Sequence, residues 1–238
     1  MHSKYGLSPV FPAPAHPADV SLYVDFRDNI CYLSSLIERE IILRRPVKTR
    51  ETLLASGKEE FLAGGYEKAS LRTICKRAGL TTGAFYNQFS GKEELFSALV
   101  EPMLGGFQLM YETVISQELA DLSSGMENEI TAITYAIQHK DEFRLLFDCS
   151  KGTRYEGFKE HLIHEVFYPS YQAVFDRYAG KPVDQALVLL ILHMKFEEYM
   201  ELIYGNYTMD DVKRLITQIS RFSIAGFHTL LEEVNKTN

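Results

Sequence analysis

The chain has 238 residues, of which 46% are hydrophobic and 24% charged, with no tryptophan and a formal net charge of −7. This is long enough for one or two domains with a sizeable core, and no segment approaches the roughly 20 apolar residues that cross a bilayer. Three widely spaced cysteines, Cys31, Cys75 and Cys149, match neither a disulfide framework nor a CxxC metal motif and fit a reduced, cytoplasmic protein.

Residues 1–46 read as an N-terminal extension, partly disordered or arising from a misassigned start. Pro9, Pro12, Pro14 and Pro17 favour extended chain over residues 1–18. Residues 20–44 can form a helix on Val20, Val24, Leu33, Leu36, Ile37, Ile41 and Ile42, ended by Arg44-Arg45-Pro46. From Lys48 the helical pattern is strong. Leu53, Leu54, Gly57, Phe61 and Leu62 recur at helical spacing, and Gly64-Gly65 supplies a stop. Ser70 is placed to cap a helix over Leu71–Ala78, and Gly79 ends it. Thr81 or Thr82 opens a short helix through Phe89. Ser90 then caps a helix that begins at Lys92-Glu93-Glu94 and runs to about Leu119, with Pro102 or Gly105-Gly106 as points of bending. Further helices are expected over 126–139, 141–150, 155–179, 183–205 and 208–235. No strand pattern occurs, so the predicted fold class is all-α.

Charge is uneven along the chain. Between Val47 and Leu95 there are eight basic and six acidic side chains, so the acidic surplus lies elsewhere. A mildly basic head joined to an acidic body fits a nucleic-acid-binding head with a regulatory partner domain.

Residues 70–92 have the makings of a helix-turn-helix. Leu71, Ile74, Cys75 and Ala78 form the apolar stripe of a bracing helix, and Gly79-Leu80 makes the tight turn. Thr81-Thr82-Gly83-Ala84 is small and polar, so a backbone built from it can approach base edges closely. Phe85 and Phe89, four apart, anchor the second helix, leaving Tyr86, Asn87 and Gln88 outward.

The stretch from Thr49 to Phe96 resembles the DNA-binding domain of the TetR family. The resemblance rests on Thr49-Arg50, Phe61, Gly65-Tyr66, Ser70-Leu71, Ile74, Ala78-Gly79, Thr82-Gly83, Phe85-Tyr86, Phe89 and Lys92-Glu93. Cys75 stands where the family usually has alanine. The resemblance implies base contacts from Thr82, Gly83, Ala84 and Asn87, and phosphate contacts from Tyr86 and Lys92. Ser70, Thr81 and Gln88 are further phosphate candidates, and Lys48 and Arg50, at the start of the first helix, are placed to reach the flanking backbone. It places the DNA-binding domain at 47–95 and a helical effector-binding and dimerisation domain at 96–238.

In that body the helix over 183–205 carries Leu187, Leu190, Ile191, Met194, Tyr199 and Leu202. The helix over 208–235 carries Val212, Leu215, Ile216, Ile219, Phe222, Ile224, Phe227, Leu230 and Leu231. The pair suits a four-helix homodimer interface, which in turn implies a palindromic operator. Candidate pocket residues for a small-molecule effector are Phe107, Tyr111, Phe143, Phe147, Tyr155, Phe158, His161, Phe167, Tyr171, His193, Phe196 and Tyr199. No metal and no cofactor is expected, because no acid completes an evident set with His161 and His164. An enzyme built on Glu197-Glu198, or on His161 with Glu165, lacks a nucleophile elbow, a phosphate loop and a ligand set. The expected function is a ligand-responsive repressor. The alternatives are an activator of the same family and a helical protein with no DNA role.

Overall fold

The computed structural model describes residues 31–121 and 125–236. Regular structure among them is helical: α1 (Cys31–Lys68), α2 (Leu71–Ala78), α3 (Thr82–Tyr86), α4 (Lys92–Ala120), α5 (Gly125–Gln138), α6 (Lys140–Asp148), α7 (Phe158–His161), a π-helical turn (Leu162–Phe167), α8 (Tyr168–Ala179), α9 (Gln185–Tyr204) and α10 (Met209–Lys236). The chain divides into two units, Met1–Glu51 and Thr52–Asn238.

In the first unit, the proline-rich stretch and the expected helix start near residue 20 lie outside the described residues. The expected stop at Arg44-Arg45-Pro46 is not observed, since α1 continues through Pro46. A proline inside a helix removes one backbone hydrogen bond and adds a local clash; a helix with several turns on each side can absorb both. Pro102 inside α4 is a second case.

The second unit opens with a small helical head. Leu53, Phe61, Ile74, Phe85, Phe89, Leu95 and Phe96 are fully or almost fully buried in it. Phe61 and Phe96 meet edge to face at 5.2 Å. Gly57 permits the close passage of α4, for a Cβ there would lie 2.7 Å from Leu95 Cδ2. Gly65, with φ 76°, breaks the helical path of α1 as the glycine pair suggests, although helical hydrogen bonding resumes to Lys68. α2 has the bounds expected from its stripe. Ser70 is extended before it, but its hydroxyl makes no capping bond; its N–H donates instead to Glu60 Oε1. α3 is shorter than the pattern suggests, ending at Tyr86 with Asn87 as C-cap. The residue before α4 is Gly91, not Ser90, and Ser90 N–H donates to Glu94 Oε2 at 2.6 Å.

The body packs around the long run of α4, which touches α5, α6 and α8, while α10 lies against α5 and α8. The single helix expected over 155–179 is α7, the π-helical turn and α8 in succession. On α9 the buried positions are Val188, Leu192, Phe196, Leu202 and Ile203, while Leu190 and Met194 are 64% and 69% exposed. The expected apolar face therefore divides: part is core, and part faces outward.

Gly79 adopts φ 66° with open space around the position of a missing Cβ. Its N–H bonds Lys76 O, and Leu80 N–H bonds Cys75 O. Gly79→Ala should therefore act through left-handed strain alone. It is expected to cost about 1 kcal/mol, the strain being partly offset by a less flexible unfolded chain. Urea denaturation measures this, and an unchanged midpoint would contradict it.

Candidate functional site

The outward side of α3 is built from behind. Phe85 and Phe89 are buried with ring centroids 5.6 Å apart. Phe85 N–H donates to Thr81 O and Phe89 N–H to Phe85 O. At the front, Thr81 Oγ1 accepts from Ala84 N–H at 3.1 Å, an N-cap that closes the first turn. With the anchors fixed, Thr81, Thr82, Gly83 and Asn87 are exposed and Ala84 and Gln88 half-buried. Tyr86 lies edge-on to Phe85 at 5.4 Å and stays 58% exposed. This face has no charged side chain, so it can offer hydroxyls, an amide, a methyl and bare backbone.

The Lys92 ammonium donates to Tyr66 O at 2.6 Å, Ala69 O at 3.1 Å and Glu67 O at 3.5 Å. It also sits 4.1 Å from the centroid of the Tyr66 ring. These carbonyls close α1, where a helix leaves acceptors without intrahelical donors. Burial draws the Lys92 pKa below the usual lysine range, with Glu67 opposing the shift. Its donors are thus directed inward to the end of α1. Ser70 is half-buried beside the same helix end, Lys48 is exposed and Arg50 half-buried.

Several bonds join the head to α6 and the segment after it. Tyr66 N–H donates to Cys149 O at 2.9 Å. Arg154 N–H donates to Glu93 Oε1 at 3.2 Å, and the Arg154 guanidinium pairs with Glu101. Lys151 pairs with Glu67, and Lys58 with Asp141 and Glu142.

In the body, a cavity of about 90 Å³, partly open to solvent, lies between α4, α5, α6, the π-helical turn, α8 and α9. Phe107, Tyr111, Phe143, Phe147, Phe167, Tyr171, Phe196 and Tyr199, all expected from the sequence, come together in its wall. Four expected residues do not line it. Tyr155 stacks near Phe96 and bonds Glu101 through its hydroxyl. Phe158 is buried behind Phe147. His161 lies against Phe158, with Nε2 buried and unpartnered. His193 is exposed, its Nδ1 2.7 Å from Leu189 O. A helix places side chains on a cavity wall or behind it within one turn, which aromatic spacing alone cannot resolve.

The polar lining was missed: Glu118, Asn128, Glu129 and Lys195. Glu118 was detectable, because it continues the inward row of Tyr111 and Ile115 on α4 at helical spacing. Elsewhere, Glu160, His164 and His193 bring ligand-type atoms within 4.8 Å of one another on the exposed surface. Sequence spacing hid this grouping because His193 comes from α9.

Comparison with known proteins gives this geometry its context. Residues 53–99 match the family model described as bacterial regulatory proteins, tetR family. The chain is 33% identical over 82 residues to the HTH-type transcriptional repressor AcnR of Corynebacterium efficiens, covering 34% of this chain and 42% of that protein. It is 26% identical over 96 residues to the uncharacterised HTH-type transcriptional regulator YdgC of Bacillus subtilis, covering 40% and 49%. The match thus spans under half the length of these relatives. Among solved structures, a transcriptional regulator (TerR/AcrR family) from Aquifex aeolicus aligns with TM-score 0.53 and 20% identity, over 73% of this chain and 98% of that one. The all-helical fold with an N-terminal helix-turn-helix is shared with it. Residues 53–99 thus match the DNA-binding domain of TetR-family regulators, and the relatives matched there are named as HTH-type transcriptional regulators.

The Lys92 arrangement makes a stability prediction. Lys92→Met keeps the stem and removes the donors, so it should cost about 1–3 kcal/mol through stranded carbonyls. Thermal or urea unfolding checks this; full stability in Lys92→Met would show the contacts to be unimportant.

Proposed function

We propose, from the TetR-type domain carried by residues 53–99, that the whole protein is a cytoplasmic, ligand-responsive repressor that binds a palindromic operator as a homodimer. The observation that carries this reading is the face of α3. Small uncharged groups point outward from a helix pinned on its other side by Phe85 and Phe89. Such a face suits the reading of base edges in the major groove. Thr82 and Asn87 are assigned hydrogen bonds to bases. Ala84 is assigned contact with a thymine methyl, and Gly83 close backbone approach. Tyr86, Thr81, Gln88 and Ser70 are assigned to phosphates. Lys92 contributes through its backbone N–H at the start of α4, where the helix dipole favours an anion, while its ammonium holds α1. Lys48 and Arg50, in the first unit, are assigned to the flanking phosphate backbone from their place at the start of the domain's helical pattern.

Dimerisation is assigned to α9 and α10. Support comes from large apolar side chains left outward on both: Leu190 and Met194 on α9, and Phe222, 78% exposed, on α10. Residues 96–238 serve as the effector and dimer domain, with the aromatic cavity as effector site. An effector that prefers one spacing of the two heads shifts the population toward it. Two elements are placed to carry the shift. α4 runs from the head core to the cavity. The segment after α6 follows Phe143 and Phe147 and bonds to Tyr66.

Tyr86→Phe removes one uncharged donor. It should weaken binding to every duplex by about two- to tenfold and leave the salt dependence unchanged, because no cation is lost. Fluorescence anisotropy across a salt series measures both; a changed sequence preference would contradict the phosphate assignment. The double substitution Leu190→Glu with Met194→Glu should give a folded monomer by sedimentation velocity, with operator binding lost. A variant that remains dimeric would overturn the assigned interface.

A further inference from the structure

The cavity wall is mostly hydrocarbon and aromatic, yet it encloses charge that is only partly matched. Glu129 and Lys195 form an ion pair in which each side chain is 14% exposed. The Ser220 hydroxyl donates to the second oxygen of Glu129. That pair is internally satisfied. Glu118, one wall away on α4, faces Asn128 and forms no ion pair among the described residues; Lys195, paired with Glu129, acts on it only at longer range. Glu198, on α9 near the same lysine, adds a carboxylate oxygen that is buried and unpartnered. An isolated carboxylate in such surroundings is costly unless a positive partner arrives. Beside Glu118 the lining supplies the rings of Tyr111 and Tyr171, which feel its charge; further along the wall Phe107 stacks on Tyr111 with centroids 6.0 Å apart, and Phe167 lies 5.1 Å from Tyr111. Aromatic faces attract cations, most strongly where water is excluded.

We propose that the cavity receives a lipophilic cation, an ammonium bearing aromatic or branched hydrocarbon. Its charge sits against Glu118, and its hydrocarbon fills the space between Phe107, Tyr111 and Phe167. This rests on the reading of the cavity as the effector site and names the chemistry of the effector. An anionic ligand held by Lys195 is the opposite case. It would have to break the Glu129 pair and approach Glu118 with like charge.

The site also responds to pH. Burial pushes the Glu118 carboxyl up to about 7, with Asn128 and Lys195 opposing and Glu129 reinforcing the shift. The other titratable groups around it are Tyr111, Tyr171 and Tyr199, all raised by burial and hence neutral, and the paired Glu129 and Lys195. Glu118 is ionised above this value, so cation affinity rises with pH. If the ionised form alone binds, the gain from pH 6 to pH 8 is about tenfold.

The test uses the full chain with three probes: benzyltrimethylammonium, its neutral isostere neopentylbenzene, and the anion 3-phenylpropionate. Dissociation constants come from calorimetry or saturation-transfer NMR at pH 6 and pH 8. The cation is expected to bind about tenfold or more tighter than the isostere at pH 8, with 3-phenylpropionate the weakest. Glu118→Gln should erase both the preference for the cation and its pH dependence while leaving neopentylbenzene affinity unchanged. The wild-type pH profile supplies the same evidence without any variant. Equal binding of cation and isostere, tighter binding of the anion, or an unaltered preference in Glu118→Gln overturns the proposal. Operator binding is measured separately by anisotropy. Cation binding with the expected signature but no change in DNA affinity upholds this site and overturns the effector role. DNA release by 3-phenylpropionate alone upholds the effector role and overturns the cation.

Discussion

One helix runs from the core of the head to the wall of the cavity, and the other parts of the second unit are arranged around it. At its start, α4 places Leu95 and Phe96 in the core of the head, and Lys92 closes α1 through three carbonyls. Near its far end it places Tyr111 and Glu118 in the cavity wall. From Phe96 to Glu118 the rise is roughly 33 Å at helical pitch. Close-packed interiors resist continuous deformation, so a shift in one end of such a rod must be accommodated at the other. The second link, from α6 through Cys149 O to Tyr66 N–H, reaches the same helix end that Lys92 holds. Cavity and head therefore meet at the junction of α1 and α4, by two independent routes.

The chemistry of the two ends is complementary in purpose. The outward face of α3 carries no charge, so it suits discrimination between sequences better than strength of binding. Strength in DNA binding comes mainly from phosphate contacts and follows salt. The acidic surplus of the chain lies away from the head, and part of it lines the cavity as Glu118 and Glu129. In the proposed reading, that charge serves small-molecule recognition, and the head takes its grip from geometry and pairing.

The head was largely legible in the sequence because its constraints are local. Gly79 must take a left-handed turn, Phe85 and Phe89 must share a face, and Ala78 must leave room at a helix crossing; each is written at fixed spacing. The misjudged details were those decided by tertiary partners. Ser70 does stand at the N-cap of α2, but its hydroxyl makes no capping bond, and its N–H goes to Glu60 of the preceding helix. Pro46 was read as a stop, yet α1 continues. In the body, aromatic spacing gave much of the cavity wall and no polar group in it. Glu129 and Lys195 are 66 residues apart in sequence, and no local pattern joins them. The division of α9 into buried and exposed apolar faces is likewise invisible until neighbours are known.

The central claim is that the protein reads a specific DNA sequence through the α3 face of two paired heads. Selection of bound fragments from the genome that encodes it, at low salt, tests this most directly, run in parallel with the wild-type chain and with Thr82→Ala and Asn87→Ala. The account predicts enrichment of a two-fold symmetric sequence with half-sites about one helical turn apart, and an altered base preference within the half-site for the two variants. Absence of any enriched sequence, or the same preference in all three proteins, would contradict it.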